Sequence, residues 1–136
     1  MKILVTGHNG FIGRNIMGWL SNEGWTVEGW EWDPNNYPDV KQYDWVVHLG
    51  AVYDTDIDSV LTKNLEFSQW LFRECQKNEV HMQYASSNAV YGAGPNFSEL
   101  GSCNPETPYA WSKYLFDRWV FQQEHKFFVQ GFRYFN

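Results

Sequence analysis

Cysteine is scarce: Cys75 and Cys103 are the only two, far apart in sequence and outside any Cys-x-x-Cys spacing. That excludes a disulfide framework and a zinc site, and both read as reduced structural thiols. Positive charge is also thin, with 10 Lys and Arg against 16 Asp and Glu and a net charge of -6. No lysine or arginine cluster offers the basic face that phosphate neutralisation needs, so neither nucleic acid nor an anionic membrane is expected as a partner. Long apolar runs are missing too: Val46 to Leu49 and Phe127 to Val129 fall far short of the roughly 18 residues that span a bilayer. The start, Met1 to Gly7, lacks the apolar core of a signal peptide, which makes a cytoplasmic protein the expectation. His8, His48, His81 and His125 show no metal-ligand spacing and read as core or surface residues, with no metal expected. What the chain does have is 43% hydrophobic and 19% aromatic residues within 136 positions, enough for one core and one domain, 1–136.

Strand-like and helix-like segments alternate along the chain. Lys2 to Thr6 is a short apolar run ending in a glycine cluster, after which Ile12, Ile16, Trp19 and Leu20 recur at helical spacing until Gly24. Trp25 to Glu31 reads as a second strand, Tyr43 to Ala51 as a third, and Asp56 to Asn78 as a long helix. Val80 to Ser86 begins a fourth strand. Thr107 and Pro108 mark a helix start, threonine as N-cap and proline at the first helical position. That helix is expected to reach about His125, followed by a last strand from Phe127 to Arg133. Strands separated by helices imply a parallel sheet covered on both faces.

The segment Gly7 to Gly13 lies between the first strand and the first helix. There, glycines permit a tight turn and let backbone N–H groups approach a phosphate at the positive helix end. Its spacing is Gly-x-x-Gly-x-x-Gly, not the commonest dinucleotide fingerprint. Glu31 closes the second strand, where a carboxylate can accept from an adenosine ribose and repel a 2′-phosphate, favouring NAD over NADP. Asp33 takes that role if the strand register shifts by two, and otherwise Glu31 is an ordinary strand-end carboxylate. Tyr109 and Lys113 share one helix face a turn apart, and an ammonium beside a phenol is expected to lower its pKa toward use as a general acid/base. Tyrosine and lysine at this spacing are usually only an exposed pair. Ser86 and Ser87 end the preceding strand at the carboxyl edge of the sheet, where open α/β sheets bind ligands, so a hydroxyl there can hold a substrate oxygen beside that phenol.

Together these segments resemble the extended short-chain dehydrogenase/reductase family, the NAD(P)-dependent epimerases and dehydratases of nucleotide sugars. Five ordered motifs carry the resemblance: Val5-Thr-Gly-His-Asn-Gly-Phe-Ile-Gly13, Val47-His-Leu-Gly-Ala51, Tyr84-Ala-Ser-Ser-Asn-Ala-Val-Tyr-Gly92, Pro108-Tyr-Ala-Trp-Ser-Lys-Tyr-Leu-Phe-Asp117 and Gly131-Phe-Arg-Tyr-Phe-Asn136. Within the family the wording is most similar to the ADP-glyceromanno-heptose 6-epimerases. The resemblance implies a Rossmann-like doubly wound parallel sheet of about five strands in the order 2-1-3-4-5. It implies Ser87 as catalytic serine, Tyr109 as acid/base and Lys113 as ribose-binding lysine. Gly7, Asn9, Gly10, Phe11, Ile12 and Gly13 would lie at the pyrophosphate of NAD, and Glu31 at the adenosine ribose. Leu49, Gly50 and Ala51 would line the cofactor channel, Asn64 would match a helix asparagine of the cofactor site, and Ser87 and Asn136 would touch the nucleotide-sugar substrate.

The resemblance also defines what is not there. Family members are roughly twice this length, so a C-terminal substrate domain is expected to be absent or to come from a separate chain. Between Glu31 and Asp44 the segment is too short for a parallel crossover and another strand, so one strand–helix unit is expected to be lost. The family commonly dimerises by packing two long helices into a four-helix bundle, and here these are Asp56 to Asn78 and Thr107 to His125. Trp70, Trp111 and Trp119 on these helices point to an exposed apolar face and a homodimer. A non-catalytic dinucleotide-binding or protein-interaction module is the competing expectation.

Overall fold

The computed structural model describes residues 1–94 and 96–135. Five parallel strands form one sheet in the order β2-β1-β3-β4-β5, as expected. They are β1 (Lys2–Thr6), β2 (Thr26–Trp30), β3 (Trp45–His48), β4 (His81–Ser87) and β5 (Val129–Tyr134). Helix α1 (Phe11–Asn22) follows β1. A long helix follows β3 as α2 (Ile57–Val60), a π-helical segment Leu61–Glu66 and α3 (Phe67–Asn78), with helical backbone angles through both junctions. Helix α4 (Pro108–Gln122) joins β4 to β5.

Alternation along the strands divides the core in two, because successive side chains point to opposite faces. Leu4, Val46 and Met82 face the α3 and α4 side, where Phe67, Leu71, Phe72, Phe116 and Val120 close over them. Ile3 and Val5 face α1, packing with Leu20, Ile16 and Val47. Trp70 and Trp119 belong to the first core: Trp70 stacks on Phe67 and Trp119 on Phe116. They are therefore core-filling residues, which corrects the expectation that all three helix tryptophans mark an exposed face. Trp111 remains 47% exposed.

Several boundaries differ from the sequence reading, each for a local reason. Strand β3 begins only at Trp45, because Tyr43 closes a turn of 3-10 helix, Val40–Gln42, by donating its N–H to Val40. The strand ends at His48, where Gly50 leaves the ladder to donate to the Thr6 hydroxyl at 3.2 Å. Helix α4 stops at Gln122 because Gln123 turns to extended angles. Between β2 and β3, that single 3-10 turn is the only helix or strand among the described residues. The space beside β2 is filled by aromatics: Trp30 stacks on Phe67 at 4.9 Å, and Trp32, Tyr37 and Trp70 pack around them.

Candidate active site

The carboxyl ends of β1, β3 and β4 converge with the N-termini of α1 and α4. Gly7 has φ of +70°, and a Cβ there would lie 2.6 Å from the Gly50 backbone, so only glycine lets these two loops meet. A Cβ on Gly13 would strike the Gly7 carbonyl. Gly10 caps α1 without any side-chain hydrogen bond, and the first turn carries no acidic residue. The opening N–H groups of α1 are thus directed at the mouth of a glycine cradle, as an anionic pyrophosphate requires. Phe11 is 80% exposed beside it, and Ile12 is half-buried.

Glu31 stands at the rim of this cradle. One carboxylate oxygen accepts the Asn9 N–H at 2.8 Å and lies 3.3 Å from His8 Nδ1. Gly29 leaves room for the His8 ring, which a Cβ there would strike. Gly7, Glu31, Trp32, Gly50, Ala51 and Lys63 line a cavity of roughly 100 Å3. Ala51 also lines a larger cavity of roughly 650 Å3 with Leu49, Ser87 and Tyr109, so the two adjoin along the loop after β3.

Tyr109 is placed by the predicted cap: the Thr107 hydroxyl accepts the Ala110 N–H at 3.1 Å, with Pro108 in the first turn. Ser87 ends β4, accepts the Ala89 N–H at 3.1 Å and lines the same cavity as the Tyr109 phenol. The expected lowering of the Tyr109 pKa is not found. Burial of the phenol raises it, and the Ser87 hydroxyl offsets only part of that rise. Lys113 is buried, and Nζ donates to the Ala85 carbonyl at 2.9 Å behind the phenol. Burial pushes its pKa down to about 8, with Asp117 opposing.

Asn64 is 1% exposed and its side chain is fully used: it exchanges two 2.8 Å hydrogen bonds with the Val52 backbone and donates to Ser112 at 3.2 Å. It reaches the channel through the loop it holds. Asn136 lies outside the described residues.

Two polar networks were not read from the sequence. His48 joins Thr6 (2.6 Å) to Ser68 (2.8 Å), and Ser68 donates to the Asn64 carbonyl within the π-helical segment. Burial, and then the Lys113 charge, push the His48 pKa down to about 3. Asp117 accepts from Ser86 (2.8 Å), Tyr84 (3.1 Å) and Arg133 (3.3 Å), fixing the end of β4 behind Lys113. The signal was available: Ser112, Lys113 and Asp117 interrupt the buried face of α4 at helical spacing.

Residues 3–136 match the NAD dependent epimerase/dehydratase family. The chain belongs to that family. It is 39% identical over 97 residues to an ADP-L-glycero-D-manno-heptose-6-epimerase of Thiobacillus denitrificans, a match covering 67% of this chain and 29% of that protein. The Helicobacter pylori ADP-L-glycero-D-manno-heptose-6-epimerase superposes over 100% of this chain and 55% of its own, with a TM-score of 0.87 and 25% identity. The UDP-glucose 4-epimerase of Thermus thermophilus, solved with NAD, superposes over 98% of this chain and 55% of its own, with a TM-score of 0.82 and 25% identity. The chain therefore spans about half the length of these solved relatives. The family's cofactor is NAD, and the glycine cradle, capless α1 and the Glu31 carboxylate fit a dinucleotide. Ser87 and Tyr109 line the larger cavity, and Lys113 is buried with its Nζ near the Tyr109 ring.

Proposed function

We propose that this chain is the NAD-binding and proton-transferring part of a nucleotide-sugar epimerase or dehydratase, most similar to the heptose epimerases. The observation that supports the reading is that Ser87 and Tyr109 line one cavity, which shares Ala51 with the cavity at the glycine cradle. Bound NAD supplies a hydride acceptor. Tyr109 takes the proton of a sugar hydroxyl, while Ser87 holds that oxygen and the Lys113 charge behind the ring favours the phenolate. With the hydride that the bound cofactor would give back to the opposite face of the carbonyl carbon, return of the proton from Tyr109 to its oxygen would complete an inversion. Glu31 Oε2, the carboxylate oxygen not engaged by Asn9, accepts from the adenosine ribose and selects NAD over NADP.

Calorimetric titration with NAD and NADP tests this reading. Micromolar NAD binding with weaker NADP binding is expected. Absence of NAD binding up to millimolar cofactor would overturn it.

The reading includes pairing of two copies through α4 and the long helix that begins at Ile57. Ile57, Trp111 and Leu115 are 57%, 47% and 38% exposed on these helices, and Ile57 and Trp111 border an apolar hollow of roughly 230 Å3.

A further inference from the structure

Tyr53 and Glu106 both line the larger cavity. Tyr53, on the loop after β3, is 78% exposed, and its ring centre lies 5.2 Å from that of Tyr109 at a tilt of 51°. Glu106 immediately precedes the N-cap of α4 and accepts the Ala93 N–H at 3.4 Å. Among the described residues that line this cavity, Glu106 alone carries a charge; its companions are Leu49, Ala51, Ser87, Thr107 and other neutral groups. Lys113 and Arg133 are engaged away from this cavity. Lys113 Nζ is bound to the Ala85 carbonyl, and Arg133 is paired with Asp117.

The cavity therefore offers aromatic faces, several hydroxyls and one acceptor-only anion. An aromatic ring beside the reacting phenol suits the apolar C–H face of a pyranose. A carboxylate suits hydroxyl donors, since charge-assisted hydrogen bonds are the stronger kind. A sugar bearing its own carboxylate would meet a like charge, with no cation among the residues that line this cavity to offset it.

We infer that the sugar seated beside Tyr109 is uncharged, lying on Tyr53 with its hydroxyls accepted by Glu106, and that Glu106 turns sugar acids away. This inference names the substrate class of the site proposed above and rests on that reading.

The test compares UDP-glucose with UDP-glucuronate by calorimetry on the chain saturated with NAD. The unaltered chain is expected to bind UDP-glucose about tenfold or more tighter, the size of effect that like-charge contact produces. Glu106→Gln keeps shape and removes the charge. It is expected to strengthen UDP-glucuronate about tenfold while weakening UDP-glucose a few-fold, so that the preference collapses. Tyr53→Ala is expected to weaken both sugars alike, and NAD affinity in both variants reports on the fold. Equal affinity for the two sugars in the unaltered chain would overturn the inference, as would a preference that Glu106→Gln leaves intact. Binding of NAD but of neither sugar would overturn it while leaving the cofactor reading standing. Failure to bind NAD at all would remove the reading on which it rests.

Discussion

The Lys113 ammonium lies 5.8 Å from the centre of the Tyr109 ring, while Nζ is anchored on the Ala85 carbonyl. The charge is thus fixed behind the phenol, and burial of Tyr109 still holds its pKa above the ordinary tyrosine value. In the mechanism proposed above, the phenol relies on this charge and on the Ser87 hydroxyl to act as a base. Tyr109→Phe is expected to lower sugar oxidation by roughly a hundredfold or more, the usual worth of a positioned acid/base, while NAD affinity stays within a few-fold. Single-turnover NADH absorbance with UDP- and ADP-sugars measures it. Unchanged turnover would remove Tyr109 from the chemistry, and NAD binding without turnover in the unaltered chain would favour a non-catalytic module.

Among the described residues, Glu31 is the only carboxylate tied to the glycine turn, through Asn9. Glu31→Ala is expected to weaken NAD about tenfold and to leave NADP weakened less or strengthened, since the repulsion of a 2′-phosphate goes with the charge. Equal losses for both cofactors in parallel titrations would assign the ribose to Asp33 instead.

His48 makes stability depend on acidity. Its folded pKa is about 3 against 6.5 in model compounds, so above pH 6.5 both folded and unfolded forms are neutral and its contribution is fully present. Below that, the unfolded chain binds a proton that the folded chain refuses, and stability falls as pH drops toward 3, by at most about 1.4 kcal/mol per pH unit. His48→Gln is expected to cost about 1–3 kcal/mol at pH 7, by disturbing Thr6 and Ser68, and to flatten that acid limb. Urea unfolding at a series of pH values measures both effects. An acid limb of unchanged slope would mean that His48 takes up its proton in the folded state.

Trp111 is the one tryptophan of α4 that the core does not use. If α4 pairs with its copy, Trp111→Glu is expected to leave a monomer at concentrations where the unaltered chain is a dimer, because an interface core does not accommodate an unpaired charge. Sedimentation velocity distinguishes them. A monomeric unaltered chain would remove the pairing.

Local chemistry made much of this legible. The turn at Gly7, the cap at Thr107 and the alternation of strand and helix are each specified by a few consecutive residues. Glycine alone accepts the φ of +70° at Gly7, threonine and proline start a helix, and side-chain periodicity distinguishes the elements. Glu31, Ser87 and Tyr109 could be placed from the sequence because each sits at a strand end or first helical turn that those signals delimit, and Lys113 because it follows Tyr109 by one turn. Helix and strand ends were less legible, because Gln123 and Tyr43 take their conformations from contacts beyond their neighbours. The roles of Trp70 and Trp119 depended on which helix face the sheet covers.

The amino-acid sequence by itself thus determined the strand–helix order, the glycine cradle and the serine–tyrosine–lysine set, since all of these are encoded over short stretches. Only the tertiary structure decided that Glu31 holds Asn9, that His48 bridges Thr6 to Ser68, that Asp117 gathers Ser86, Tyr84 and Arg133, and that Tyr53 and Glu106 meet in one cavity. Those partners are separated along the chain, and the parallel register brings them together by aligning the strand ends at one edge of the sheet.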